Sequence, residues 1–273
     1  MLLRSHVAGV LVAALLACSG ARAAVISGAS ATASGPYDLS ALGSGDWAYW
    51  STTANPTSGS PTNEMSSSTL IGSLTAIGGG NLRGSGTPVG DISFAFNNGT
   101  APVSGPVSGI SGVFNSITNT SGTGVALAIT LPTTDTYEVR IWGGGYNVDV
   151  GTFTASLPGA TDFVDTSLSA GQSNPKQSIL YTLTVTPDTA NDVLSLSLVN
   201  TTDGAGNAGH VLLAGAAIQA VPEPATLPLL LVLTATGVTL VRKRRHPGRE
   251  PISTSGRPTV SSVAAVSVRG AAD

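Results

Sequence analysis

Over much of its length the chain alternates apolar and polar positions with a period of two. Ile92, Phe94 and Phe96 alternate with Asp91, Ser93 and Ala95, and Val125, Leu127, Ile129 and Leu131 alternate with small or polar residues until Pro132 closes the run. Tyr137, Val139 and Ile141 alternate with Glu138, Arg140 and Trp142, after which Gly143-Gly144-Gly145 breaks the pattern. Further runs carry Phe153, Ala155 and Leu157; Ile179, Tyr181, Leu183 and Val185; Leu194, Leu196 and Leu198; and Leu212, Ala214, Ala216 and Ile218. Side chains of a strand point alternately to its two faces, so each run predicts a strand with one buried face. Turn clusters rather than helical crossovers separate the runs, which predicts antiparallel pairing; the break at 187–192 reads as a hairpin or a connection between sheets. Two sheets with their apolar faces together satisfy the whole pattern, so residues 70–220 are expected to form an all-β, antiparallel, jelly-roll-like β-sandwich. Residues 24–69 are rich in Ser, Thr, Gly and Pro around one aromatic knot, Asp46-Trp47-Ala48-Tyr49-Trp50, and regular strands are expected only after them.

The two ends break the period. Residues 1–23 carry Arg4, an apolar run from Val7 to Ala17 and then Ala21-Arg22-Ala23. A basic start, a short apolar middle and small residues at −3 and −1 form a secretory signal peptide, with a cut expected before Ala24 by signal peptidase. Leu15-Leu16-Ala17-Cys18 offers a rival reading as a lipobox, but bulky Leu16 and the Ala-Arg-Ala that follows favour the later cut. Near the other end, Val221-Pro222-Glu223-Pro224 precedes an uncharged stretch over 225–241 and then Arg242-Lys243-Arg244-Arg245. At 1.5 Å per residue the stretch reaches about 26 Å as a helix, just enough to span a bilayer. The basic cluster would remain cytoplasmic and leave the body on the outer side of the membrane. Residues 246–273 are polar, with little periodicity, and are expected to be a disordered tail.

This tripartite end resembles the PEP-CTERM sorting signal of Gram-negative bacteria. Pro222, Glu223 and Pro224 match the motif, 225–241 the transmembrane helix, and Arg242, Lys243, Arg244 and Arg245 the basic stop, whereas members of that family usually end soon after the stop. The resemblance implies an exosortase-type membrane protease as partner, transient anchoring in the inner membrane, and delivery to the cell surface or beyond, often beside exopolysaccharide. The body loosely resembles jelly-roll carbohydrate-binding and galactose-binding-like modules. The likeness lies in the Asp46-Trp47 pair, Phe94-x-Phe96-x-x-Gly99-Thr100, a strand ending in Trp142-Gly143-Gly144-Gly145-Tyr146, Gly151-x-Phe153-x-Ala155-x-Leu157, and Tyr181-Thr182-Leu183-Thr184-Val185.

Composition agrees with strands and turns: of 273 residues, 34 are Gly, 33 Ser and 32 Thr. The formal net charge of −3 conceals a segregation, because residues 24–220 hold twelve acids against only Arg83, Arg140 and Lys176, a net −9. So acidic a body repels phosphate backbones, and no nucleic-acid partner is expected. Cys18 is the only cysteine, which leaves the body without disulfides, thiolate nucleophiles or cysteine-ligated metal.

The usual catalytic parts are missing. His210 is the single histidine of the body, and no Gly-x-Ser-x-Gly elbow presents a serine to it, so His210 is read as a surface residue at a strand start. The glycine triplets at 78–80 and 143–145 open no amphipathic helix, so they are read as turns or bulges and not as phosphate loops. Asp162 with Asp165, or Asp188 with Asp192, could pair as glycosidase carboxylates, but they lie in turn-rich segments where Asp commonly bonds backbone amides. No catalytic residue, cofactor or metal site is therefore expected; calcium, which takes loop oxygens, is the one ion the composition leaves open. Aromatic rings beside carboxylates and amides are what a sugar needs, which makes Trp142, Tyr146, Asn147, Asp149, Trp47 and Trp50 the candidate glycan-binding residues, with Asp46 beside the last two. The bare backbone of Gly143-Gly144-Gly145 would let a sugar approach closely. The expected function is that of an exported, non-catalytic protein at the cell surface or secreted, associated with exopolysaccharide and glycan-binding. A purely structural matrix component and an extracellular carbohydrate-active enzyme are the alternatives.

Overall fold

A computed structural model describes residues 23–52, 59–67, 69–86, 92–171, 176–201 and 209–222. Residues 1–22 of the expected signal peptide, the transmembrane helix, the basic stop and the 246–273 tail expected from the sequence lie outside these residues, as do Glu223 and Pro224 of the motif. The regular structure of the described residues is almost entirely strand, with one short helix, α1 (Leu39–Leu42), capped by Asp38, whose carboxylate accepts the N–H groups of Ser40 and Ala41.

Three sheets stack in layers. The first has five strands in the order β13 (Phe163–Leu168), β12 (Gly151–Ser156), β15 (Asp192–Asn200), β10 (Gly124–Leu131), β5 (Thr75–Ile77). The second has eight: β1 (Val25–Thr32), β14 (Lys176–Thr186), β11 (Tyr137–Tyr146), β16 (His210–Ala220), β3 (Asp46–Tyr49) and β4 (Asn63–Glu64) in order, with β9 (Val113–Asn115) and β6 (Leu82–Gly84) extending from β16. Between these two sheets lies the main core, which takes Val125, Leu127, Ile129, Phe153, Leu194, Leu196 and Leu198 from one side and Val139, Ile141, Tyr181, Leu183, Leu213 and Ile218 from the other. The expected sandwich is thus present, and all these pairs are antiparallel. From β10 onward the chain crosses between the two sheets at every connection but the β12–β13 hairpin, so the 187–192 break is a sheet-to-sheet connection.

The third layer was not legible as a layer. β2 (Gly35–Asp38), β7 (Ile92–Phe96) and β8 (Gly105–Val107) form a small sheet, with β2 parallel to β7, over the outer face of the eight-stranded sheet. A second core fills that space with Leu39, Trp47, Tyr49, Ile92, Phe94, Phe96, Trp142, Leu212, Ala214 and Ala217. A sheet covered on both faces needs apolar residues on both, and β3 and β16 are accordingly buried on successive residues.

Two expectations change as a result. Residues 24–69 are not an irregular prelude: they supply β1, β2, α1, β3 and β4, and β1 and β3 are integral to the eight-stranded sheet. Gly143-Gly144-Gly145 does not end its strand either, because β11 runs through it to Tyr146, paired with β14 on one side and β16 on the other.

The run from Leu212 to Ile218 is also not a single alternating face. Pairing with β11 slips by one residue where Trp142 faces Gly215 and Gly143 faces Leu213, leaving Ala214 as the extra residue of a bulge. Before the slip Val211 and Leu213 enter the main core, and after it Ala216 and Ile218 do, while Leu212, Ala214 and Ala217 fill the second. At the slip only glycine fits: a Cβ on Gly215 would lie 2.8 Å from Phe94 Cζ and 3.3 Å from Trp142 Cε3.

Candidate functional site

The candidate tryptophans prove to be core residues. Trp142 does stand on the polar phase of β11, as its position beside Glu138 and Arg140 suggested, but the small sheet covers that face. Its ring meets Tyr37 and Phe94 edge-on, each at 5.2 Å between centroids, and it has 0% exposure. Trp47 lies in the same second core at 0%, its indole N–H donating to Asn98 Oδ1 at 2.9 Å. Trp50, one residue out of phase with Tyr49, enters the main core at 1% and donates to the Gly59 carbonyl at 2.9 Å. None of the three offers a ring face to a ligand. The glycine triplet is likewise enclosed: a Cβ on Gly145 would meet Val148 and Leu168, and one on Gly143 would meet Leu198.

Asp46, expected beside those rings as a partner for sugar hydroxyls, is a structural carboxylate. Buried to 2% exposure, it accepts the Trp47 N–H at 2.8 Å through Oδ1 and the Leu70 and Ile71 N–H groups at 2.9 Å through Oδ2. It thereby ties β3 to the loop that leads into the five-stranded sheet. Asn63 and Asn115 act in the same way. Asn63 Oδ1 accepts from Glu64 and Thr100 while its amide donates to the Pro102 carbonyl; Asn115 donates to the Ile77 and Gly79 carbonyls. In a body without cysteines, such buried side chains hold the long loops by satisfying backbone groups that would otherwise be stranded.

Of the candidate residues, Tyr146 is the one partly exposed ring. It ends β11 opposite His210, the first residue of β16, with ring centroids 5.6 Å apart. His210 in turn stacks on Phe114 of β9 at 3.8 Å and 23°. The strand registers carry the row further on the same sheet face. Arg83 of β6 pairs with Phe114, and Lys176 of β14 pairs with Tyr146, both at exposed positions. The row thus crosses five strands, with three partly exposed rings in the middle and a cation at either end. The third basic residue of the body, Arg140, is engaged elsewhere, in an ion pair with Glu138 and a 3.4 Å bond to the Leu42 carbonyl.

His210 therefore sits at a strand start, as expected, but its ring packs between two others and is not a free surface group. Phe114 drew no attention in the sequence because its strand is three residues long and shows no period. Asn147 and Asp149 follow Tyr146 in the turn to β12. Asn147 is 3% exposed and takes the left-handed conformation, with φ at 50°, and Asp149 is half-buried.

The carboxylates once paired in sequence serve turns and edges. Asp188 accepts from the Thr189 hydroxyl at 3.1 Å and Asp192 from the Thr189 N–H at 3.3 Å. Asp165 on β13 accepts from the Ser30 hydroxyl of β1 at 2.8 Å and from the hydroxyl and N–H of Ser167. Partial burial works to raise its pKa, but these hydrogen bonds outweigh it and hold the carboxyl below its usual 3.8. Among the described residues, no group of three or more His, Cys, Asp or Glu side chains is placed to hold a metal ion.

No protein-family model matches the chain, and no curated protein does. Among solved structures it is similar to CBM35 from Cellvibrio japonicus Abf62, at 14% identity and a TM-score of 0.26, over 55% of this chain and 99% of that one. A likeness of that size fixes neither a ligand nor a strand order.

Proposed function

We propose that this chain is an exported, non-catalytic surface protein, sorted by an exosortase-type system, whose body associates with acidic exopolysaccharide through the row Arg83, Phe114, His210, Tyr146 and Lys176. The observation that carries the binding reading is the row itself. In a body of net charge −9, two of three cations flank the same strip of partly exposed rings. Rings accept the C–H faces of a pyranose, and cations at both ends suit a polymer with a carboxylate on only some of its sugars; a nucleic acid, with a phosphate at every nucleotide, instead meets the repulsion of the −9 body as a whole. Sorting is supported by where the strands begin and end. β1 starts at Val25, one residue after the expected first residue of the mature chain, and β16 ends at Ala220, two residues before Pro222. The last backbone bond of the sheet region among the described residues, Val221 N–H to the Thr136 carbonyl at 2.7 Å, falls one residue before Pro222 in the sequence.

Intact-mass analysis of the mature protein tests the sorting. An N-terminus at Ala24 and loss of the chain beyond the motif are expected, and a mature protein that begins at a lipidated Cys18 or keeps residues 242–273 refutes it. Binding is tested by calorimetric titration of the exported protein with a uronate-containing and a neutral polysaccharide. The buried tryptophans make fluorescence a poor reporter here. Expected is saturable binding of the acidic polymer, roughly micromolar to millimolar per site, weakened about tenfold by Tyr146→Ala or Phe114→Ala. Arg83→Ala with Lys176→Ala is expected to erase the preference for the acidic polymer. No saturable heat with either polymer would favour the second reading, a purely structural matrix component, for which the burial of all three tryptophans speaks.

A further inference from the structure

An edge strand exposes a row of unpaired backbone groups, and proteins blunt such edges with brevity, proline, bulges or charge. Among the described strands, every free edge but one carries such a device. β4 has two residues, and β5 and β6 have three each. β8 and β2 contain Pro106 and Pro36. β13 is bulged against β12 and turns Asp165 towards β1. The exception is β1: eight residues, Val25-Ile26-Ser27-Gly28-Ala29-Ser30-Ala31-Thr32, with no charge, no proline and unbroken register on β14. Six of the eight are exposed, and Val25 stands at 51%.

We propose that β1 is the surface through which two copies of this chain associate, antiparallel across a two-fold axis near Gly28 and Ala29. The inference does not rest on the glycan or sorting readings, though it shares Lys176 with the first. Three features favour a second copy as the occupant. Self-pairing sets only small or aliphatic uncharged side chains opposite one another, so no like charges oppose across the new ladder. The two ends of the strand differ in charge. Val25 pairs with Thr186, two residues before Asp188, whose carboxylate lies 3.1 Å from the position a Cβ would take on Gly159, next to Ala24. Thr32 pairs with Ile179, three residues after Lys176. Antiparallel pairing sets the Asp188 end of one copy beside the Lys176 end of the other, whereas parallel pairing would bring like ends together. Finally, a single open edge closes as a dimer, because a filament needs a second, different edge.

Sedimentation equilibrium of the mature exported protein from about 1 to 100 µM, the range for a small interface of this kind, tests the proposal. A monomer–dimer equilibrium within that range is expected. Ser27→Lys and Ala29→Lys, both at exposed positions on β1, are each expected to raise the dissociation constant at least about tenfold by setting like charges near the two-fold. Thr154→Lys, on the five-stranded sheet, is expected to leave it unchanged. Circular dichroism melts identify variants that remain folded; if Ala29→Lys does not fold, Ser27→Lys decides. A wild-type monomer throughout, assemblies that grow beyond dimers, or a dimer indifferent to the lysines overturns the proposal.

Discussion

Individual side chains in this protein are governed by which layer they enter, and Tyr181 shows the cost of entering fully. Its ring lies flat on Phe153, 4.0 Å between centroids and 9° from parallel, and its hydroxyl is buried without a hydrogen-bond partner among the described residues. Burial first, and the negative charge of Asp165 second, push its phenol well above the ordinary 10.0. A raised folded pKa means that stability is intact below pH 10 and declines as pH rises past it, since only the unfolded chain ionises readily there. Tyr181→Phe keeps the stack and removes the stranded hydroxyl. The variant is expected to unfold about 1 kcal/mol less readily at pH 7 and to lose less stability at pH 10.5, both read from urea melts. A variant clearly less stable than wild type would show that the hydroxyl is bonded after all. Tyr181 was legible as a core residue because its strand alternates cleanly. Trp142 was not, because its polar neighbours Glu138 and Arg140 marked its face as solvent, and those two satisfy each other while Trp142 is roofed by Phe94 and Tyr37.

For strands, period-two patterning located seven of the long runs, and it failed where geometry departs from a simple ladder. The apolar residues of β16 were visible, but a bulge at Ala214 leaves no mark in a run that is apolar on both phases. β1 was missed for the opposite reason, being small and mostly exposed, with only Ile26 packed against the main core. What fixes β1 besides β14 is a polar tie: Ser30 and Ser167 share a 2.9 Å contact, and both donate to Asp165, closing the side of the sandwich between β1 and β13. Because the folded pKa of Asp165 is depressed, the stability it contributes is present above the unfolded value near 3.8 and is lost as pH falls through the folded value. Asp165→Asn is therefore expected to be somewhat less stable than wild type at pH 6 while showing a shallower loss below pH 4. Thermal melts across that range check it, and parallel acid limbs in the two proteins would remove Asp165 from the account.

The three layers share one sheet, and this has consequences for how the molecule unfolds. β11 and β16 each contribute to both cores, through Ile141 and Trp142 on one strand and Leu213 and Leu212 on the other. Neither core can open without removing the packing from one face of strands that line the other, so the small sheet is not an appendage able to melt first. Such an arrangement was beyond the sequence, since β2, which pairs in parallel with β7, and β9, which lies beside β16, are short segments of no marked period placed by long-range contacts. The tryptophans allow a direct check, because Trp50 lies in the main core while Trp47 and Trp142 lie in the second. Two variants that retain one reporter region each, Trp50→Phe for the second core and Trp47→Phe with Trp142→Phe for the main one, separate their fluorescence. Each substitution lowers stability, so each variant is compared with its own far-ultraviolet circular dichroism and not with the other. Within each, the fluorescence and dichroism midpoints in urea are expected to coincide, as they do when unfolding has no populated intermediate. A fluorescence transition of the second core that clearly precedes the loss of strand signal would mean that the small sheet detaches independently, and the shared sheet would then not couple the layers as argued.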